Sequence, residues 1–359
     1  MVTEGGAASA PATAVDGGRV QAAQSQQMAV AWDDRVLGAH STPHFMQSST
    51  WEAVRSSGPW HVSRRGLGTD RDFPVLVFER LAEGFGLFQH LPRVSGLAPA
   101  DVAPLTERIR AERGTAFATK IEVHQPRDGA LEAAFLEQGW QPAKASQYRH
   151  AVIVDTSVSE EEILANMKKR ARAEIRVAER HGVVVGRAEL DDANRARMID
   201  LVRETEERSG AFFRGDGYLE TVWSAFVADD RGQLYFARYD GQVVAGAFIA
   251  RYGPNAWYKD GGSTRDQPQL MASRLLQWCI IRDLAADGIE RYDLGHVPPP
   301  GEPDAPGQGV LVFKSAFARD VLEYMPAFQL SHEERGETWR RGEGAFLAAY
   351  LERTGDYWY

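Results

Sequence analysis

Helix-type and strand-type periodicities alternate along this chain, and much the same order of them occurs twice. The first pass begins with a turn entering a helix over 43–55, where Ser48 or Ser49 is placed to cap and Trp51 and Val54 face inward. The β-rich run Phe73–Arg80 and a strand over Phe85–Leu91 follow, then a helix over 103–113 with Leu105 and Ile109 on one face. An alternating strand over Ala116–Val123, a short helix over 131–138 stopped by Gly139, and a strand over 147–155 complete it. The second pass opens at Asp155-Thr-Ser-Val-Ser-Glu-Glu-Glu, cap residues followed by acids, and its helix runs to about His181 before Gly182. A strand at Val183, a helix over 193–208, and two strands over 233–239 and 243–251 joined by Asp240-Gly241 come next. A third strand at Ala256–Asp260, a long helix over 270–286 ended by Gly288, and a strand at Arg291–Leu294 close the series. This order predicts an α/β (α+β) fold of two similar units, each with a mixed, largely antiparallel central sheet.

Composition narrows the class. At 359 residues, two ordinary domains fit, and a hydrophobic fraction of 43% with 25% charged residues is globular. One cysteine, Cys279, sits in an apolar helical run and reads as core; no intrachain disulfide is possible. No run approaches the ~18 apolar residues of a membrane span. Residues 1–30, rich in Ala, Gly, Ser and Gln, lack the basic and apolar regions of a secretory signal and read as a disordered tail, so a cytoplasmic location is expected. A net charge of −9 argues against a general duplex-DNA binder but not against a local basic patch. There is no Walker A loop, GxGxxG, GxSxG or HExxH, and the nine histidines lack ligand spacing.

Four stretches carry chemistry. In the helix beginning at Lys168, residues Lys168, Arg172, Arg176 and Arg180 recur every four positions and make one basic stripe, with Lys169 beside it. The stripe suits phosphates, a nucleic-acid backbone among them; the same pattern also suits a solvated face compensated by Glu174 and Glu179. In Arg208-Ser-Gly-Ala-Phe-Phe-Arg-Gly-Asp-Gly-Tyr, Arg214 and Tyr218 are spaced to grip a diphosphate, or else form an ordinary loop. Trp257-Tyr-Lys-Asp-Gly-Gly-Ser reads as a strand whose glycines let backbone approach a ligand, or as a plain strand-to-helix turn. Finally, Gly309-Val-Leu-Val-Phe-Lys-Ser-Ala-Phe reads as an apolar strand that ends on Lys314, where an ammonium is placed to stabilise developing negative charge or simply lies at the surface.

Taken in order, these stretches resemble the Fem family of FemABX-type aminoacyltransferases. The series also includes Phe45-Met-Gln-Ser-Ser-Thr-Trp, Gln147 before a strand ending at Asp155, Leu275-Leu-Gln-Trp, and Gly288 with Tyr292-Asp-Leu-Gly. It spans residues 40–330, without the coiled-coil arm of some members.

The resemblance implies two GNAT-like acyltransferase domains, the first made of 31–150 plus 318–359 and the second of 151–317. It implies transfer of an amino acid from aminoacyl-tRNA to the amine of a peptidoglycan precursor stem, as lipid II or the UDP-linked form. A small natural-product acceptor is the alternative. Acyl-CoA N-acyl transfer is a further one. By the same resemblance Lys314 is the transition-state cation, with Phe313 packed beside it against the tRNA acceptor end. Glu122 falls where the family often carries an aspartate proposed as base. Arg55, Arg214, Tyr218 and Tyr258 bind the acceptor head group, and Lys168, Lys169, Arg172 and Arg176 the tRNA. No cofactor or metal is expected, because an ester donor is already activated. A monomer with peripheral contact to the inner membrane face completes the expectation.

Overall fold

In the computed structural model the described residues are 14–68, 71–209, 214–264 and 266–359. The chain enters through α1 (Ala14–Ala39), a short 3-10 turn (Phe45–Gln47) and α2 (Ser49–Ser56). Ser48 caps α2, its hydroxyl accepting from the Trp51 amide at 3.1 Å. The helix α1 corrects the expectation of a disordered tail, of which residues 1–13 lie outside the described residues. Trp32 and Val36 are buried, so the second half of α1 gains enough apolar contact to stay ordered. Asp33 ties it down further: its carboxylate accepts from the Ser49 amide (2.9 Å), the Tyr252 hydroxyl (3.0 Å) and Arg231 (2.6 Å).

Both halves then follow one plan. In the first, β1 (His61–Gly66), β2 (Pro74–Ala82) and β3 (Gly86–Val94) form an antiparallel meander. The helix α3 (Pro99–Glu112) crosses over to β4 (Ala116–Val123), which runs parallel to β3. After α4 (Gly129–Glu137) and the two-residue β5 (Gln141–Pro142), β6 (His150–Asp155) moves to the other sheet. There α5 (Glu160–Asn166), α6 (Lys169–Arg180), β7 (Val184–Ala188), α7 (Asp192–Ser209) and α8 (Asp216–Ala228) lead into β8 (Gly232–Tyr239), β9 (Gln242–Tyr252) and β10 (Asn255–Ser263). The β8–β9 hairpin turns on Asp240 and Gly241, both at positive φ, as the two-residue loop requires. The helix α9 (Ala272–Ala286) crosses over to β11 (Arg291–His296), parallel to β10.

The chain closes with α10 (Gln308–Lys314), β12 (Val321–Glu323), β13 (Ala327–Ser331) and α11 (Glu334–Thr354). The sheets are ordered β1-β2-β3-β4-β13-β5 and β12-β6-β11-β10-β9-β8-β7. The strand beside β4 therefore comes from late in the chain, and the strand beside β11 from the middle. Segment 309–317, expected as a strand, is instead helical to Lys314. Gly307 at φ +92° starts the turn, and the apolar tetrad Val310–Phe313 finds no ladder to join.

One apolar cluster serves both halves. Phe78, Phe88 and Phe117 from the first sheet meet Phe226, Phe248 and Trp257 from the second half through Phe45 and Trp51, with Trp339 of α11 and Trp358 closing it. Among the described residues no helix is long and apolar enough to cross a membrane.

Candidate active site

The parallel strands β10 and β11 stay paired only as far as Trp257 opposite Asp293. Beyond that point they separate, and a cleft of about 790 Å³ opens between the two halves. A bulge at Lys259 interrupts the β10–β9 register, so Tyr258, Lys259 and Asp260 all reach the cleft wall. Gly295 and His296 line it from β11, and Lys314 from the last turn of α10.

Lys314 donates to the His296 carbonyl at 2.9 Å, and its ammonium lies 5.8 Å from the Tyr258 ring centre. Burial pushes its pKa down to about 8, while Asp293 acts to raise it. Asp293 is itself fixed: it accepts from the Tyr148 and Tyr324 hydroxyls, each at 3.0 Å, and from the Gly295 amide at 2.7 Å. That last bond sets the bend that carries the His296 carbonyl.

At the other end of the cleft Arg55 and Arg214 converge with Tyr218. Arg55 rests against the Trp51 and Trp60 rings and pairs with no carboxylate among the described residues. Burial lowers its pKa, the nearby Tyr218 phenol opposes this, and Arg214 adds repulsion. Arg214 is already engaged. It donates to Asp356 (3.1 Å), to the Tyr357 carbonyl (3.4 Å) and to the Tyr359 carbonyl, and stacks on Tyr218 at 4.6 Å. Residues Tyr357, Trp358 and Tyr359 thus form part of the cleft wall.

Of the residues singled out from sequence, Lys314, Arg55, Arg214, Tyr218 and Tyr258 share this cleft; Phe313 and Glu122 are not in its lining. Phe313 turns its ring to Arg274 (4.5 Å) and Phe317 (5.7 Å). Glu122 is buried behind the wall, where one carboxylate oxygen accepts from the Ser146 amide at 2.5 Å and the other faces His90 at 3.9 Å. The Gly-Gly-Ser stretch also has a different use from the expected ligand approach. A Cβ on Gly261 would lie 1.9 Å from the Tyr258 hydroxyl, and one on Gly262 would lie 2.1 Å from the Leu201 carbonyl. These glycines make room for Tyr258 and for α7. Residues 210–213 of the Arg208–Tyr218 motif lie outside the described residues.

The basic stripe lies on α6. Lys169 and Arg176 are exposed and Arg172 half-buried, with no ion pair to a described residue. Lys168 is partly committed inward, its amine donating to the Ser315 hydroxyl at 2.8 Å. Sequence reasoning missed His44, Trp60, His90, Lys144 and Lys259 as cleft residues. None of these carries a local signal, whereas His296, after the Tyr292-Asp-Leu-Gly run, is legible as a loop histidine lining a cleft.

Comparison with known proteins supports this architecture. The acetyltransferase (GNAT) domain family matches residues 165–305. The lipid II:glycine glycyltransferase of Staphylococcus haemolyticus is 20% identical over 229 residues, 59% of this chain and 54% of that protein. The enzyme of the same name from Staphylococcus aureus is 22% identical over 230 residues, covering 58% and 53%. The chain therefore spans about half the length of these relatives. The crystal structure of FemX superposes with a TM-score of 0.76 at 15% identity, covering 88% of this chain and 98% of that one. The matched GNAT domain, the sequence relatives and a fold shared across both halves make the chain similar to the Fem-type transferases in sequence and to FemX in fold.

Proposed function

We propose that this protein is an aminoacyltransferase, which moves an amino acid from aminoacyl-tRNA onto the amine of a peptidoglycan precursor stem peptide. The observation that carries the reading is one cleft with the Lys314 ammonium at one end and, at the other, Arg55, which has no carboxylate partner among the described residues, beside Arg214. The names of the staphylococcal relatives point to lipid II as the acceptor class. The exposed cations of α6 suit a polyanionic donor.

The chemistry needs little from the protein beyond placement. The neutral acceptor amine attacks the ester carbonyl, a C–N bond forms, and negative charge gathers on the carbonyl oxygen. The C–O bond to the ribose then breaks, and the hydroxyl leaves with the proton the amine gives up. Lys314, cationic at neutral pH, is placed to stabilise that oxyanion. Arg55 and Arg214 hold the diphosphate of the acceptor, so its amine arrives oriented. For Arg214 this requires the acceptor to share or replace the contacts now made by residues 356–359. Glu122, behind the wall, receives the proton only through an intervening group, so the leaving ribose hydroxylate is the more direct acceptor.

Mass spectrometry of precursor stem peptides from cells with and without the protein tests this. One added amino-acid residue that depends on the protein supports it; identical stems in both contradict it. A product from small-peptide acceptors alone would favour the natural-product alternative.

A further inference from the structure

The helix that carries Lys314 buries no residue of its own. At seven residues it is far too short to be stable alone, and its apolar packing comes from the half-buried Leu311 and Phe313. Polar contacts from the neighbouring helices add to this hold. Arg274, on α9, donates to the Phe313 carbonyl at 2.5 Å and lies 4.5 Å from the centre of the Phe313 ring. The same guanidinium donates to Glu174 at 2.7 Å, and both side chains are only 11% exposed. Glu174 is on the inner face of α6, where Arg170 also binds it at 2.7 Å. Around the next bend, the Lys168 amide donates to the Ala316 carbonyl at 2.9 Å and the Lys168 amine to Ser315. Beyond this turn the chain is anchored at fully buried Phe317.

We infer that Arg274 is a positioning residue: pinned by Glu174 of the basic helix, it fixes the last turn of α10 and so sets where the Lys314 amine stands in the cleft. One planar guanidinium reaches a carboxylate, a carbonyl and two aromatic rings at once, which a lysine does not. The inference deepens the proposed function and rests on its assignment of Lys314. It also joins the two ends of the reaction, because the outer face of α6 carries the cations proposed to bind the donor.

The placement of Lys314 is readable without substrate. The chain has six lysines, so reductive methylation with 13C gives few resonances, and Lys314→Arg identifies the one that matters. Around this amine stand Asp293, His296 and Tyr258, none of which the variants alter. In Arg274→Met, α10 loosens, Lys314 becomes better solvated, and its titration moves up from about 8 by about one pH unit or more toward the ordinary value. The alkaline limb of the transfer rate follows it, and kcat falls about 10- to 100-fold while KM for the acceptor holds. Glu174→Gln, which preserves shape and leaves Arg274 less firmly held, moves both readouts the same way by less. It serves also where Arg274→Met fails to fold. An unchanged Lys314 titration in a folded variant overturns the inference. If the parent protein transfers no amino acid at all, the proposed function fails, while the titration still decides the placement of the lysine.

Discussion

Lys314 is an ammonium with one hydrogen bond, to a backbone carbonyl, and with no carboxylate in ion-pair contact among the described residues. A cation held this way is costly to the fold and available to a ligand. Lys314→Met is expected to lower kcat about 10²- to 10³-fold, the usual loss of an oxyanion partner. Its effect on stability has a defined sign. The folded lysine loses its proton near 8, whereas the unfolded one keeps it to about 10.4, so the unfolded state binds more protons between those values. In the parent this group therefore makes stability rise with pH across that window. Urea midpoints between pH 7.5 and 10 should rise less in Lys314→Met. Gly261 gives a second test at this scale. Gly261→Ala forces the Tyr258 phenol aside and is expected to cost about 1–3 kcal/mol in urea unfolding. In a Tyr258→Ala background the same change should cost little, since the clash is gone. Lys314 was visible in the sequence because a lysine closes an apolar run. Trp60, His90, Lys144 and residues 357–359 were not, because only the tertiary fold brings them to the cleft.

Helices and strands were legible where their local signals agreed with their final setting. The Asp240-Gly241 hairpin, the Ser48 cap and the crossover helices α3 and α9 all have turn or cap chemistry and a clear apolar face. The missed or misread elements lack one of these. The edge strand β1, His61–Gly66, is polar and paired on one side only. The helix α8 carries the helical period Leu219, Val222, Trp223 and Phe226 but starts at Gly215 without a side-chain cap. For α10 the run Val310–Phe313 has strand propensity, and tertiary contacts override it. The helix α6 carries the prediction that belongs here. With Lys168 turned partly toward Ser315, the outward stripe is Lys169, Arg172 and Arg176. Reversing Arg172 and Arg176 to Glu is expected to raise KM for aminoacyl-tRNA roughly tenfold or more, with a shallower salt dependence and kcat retained. Steady-state assays at two ionic strengths check this, and an unchanged KM returns the stripe to a merely solvated face.

Across the molecule, the repeated plan of meander, crossover helix and parallel strand makes two sheets whose inner faces share one apolar cluster. The late strand β13 and α11 close the first half, which is therefore split in the chain, while the second half runs without a break from β6 to β12. Buried histidines add a pH limit to this arrangement. Burial holds His44, His90 and His124 well below the ordinary value and His40 at about 4. Folded, they stay neutral; unfolded, they take up protons below about 6.5. Their contribution to stability is whole above that pH and is lost as pH falls toward the folded values. Melting temperature should therefore drop steadily from about pH 6.5 to 4, and less so in a His124→Gln variant that remains folded. The proposed chemistry itself is decided by reconstitution: purified protein, tRNA charged with radiolabelled amino acids, and lipid II, with the product read by intact mass. The expected outcome is lipid II heavier by an amino-acid residue, formed without ATP and lost with Lys314→Met. Label that stays on tRNA with the parent protein, or transfer that Lys314→Met leaves intact, would contradict it.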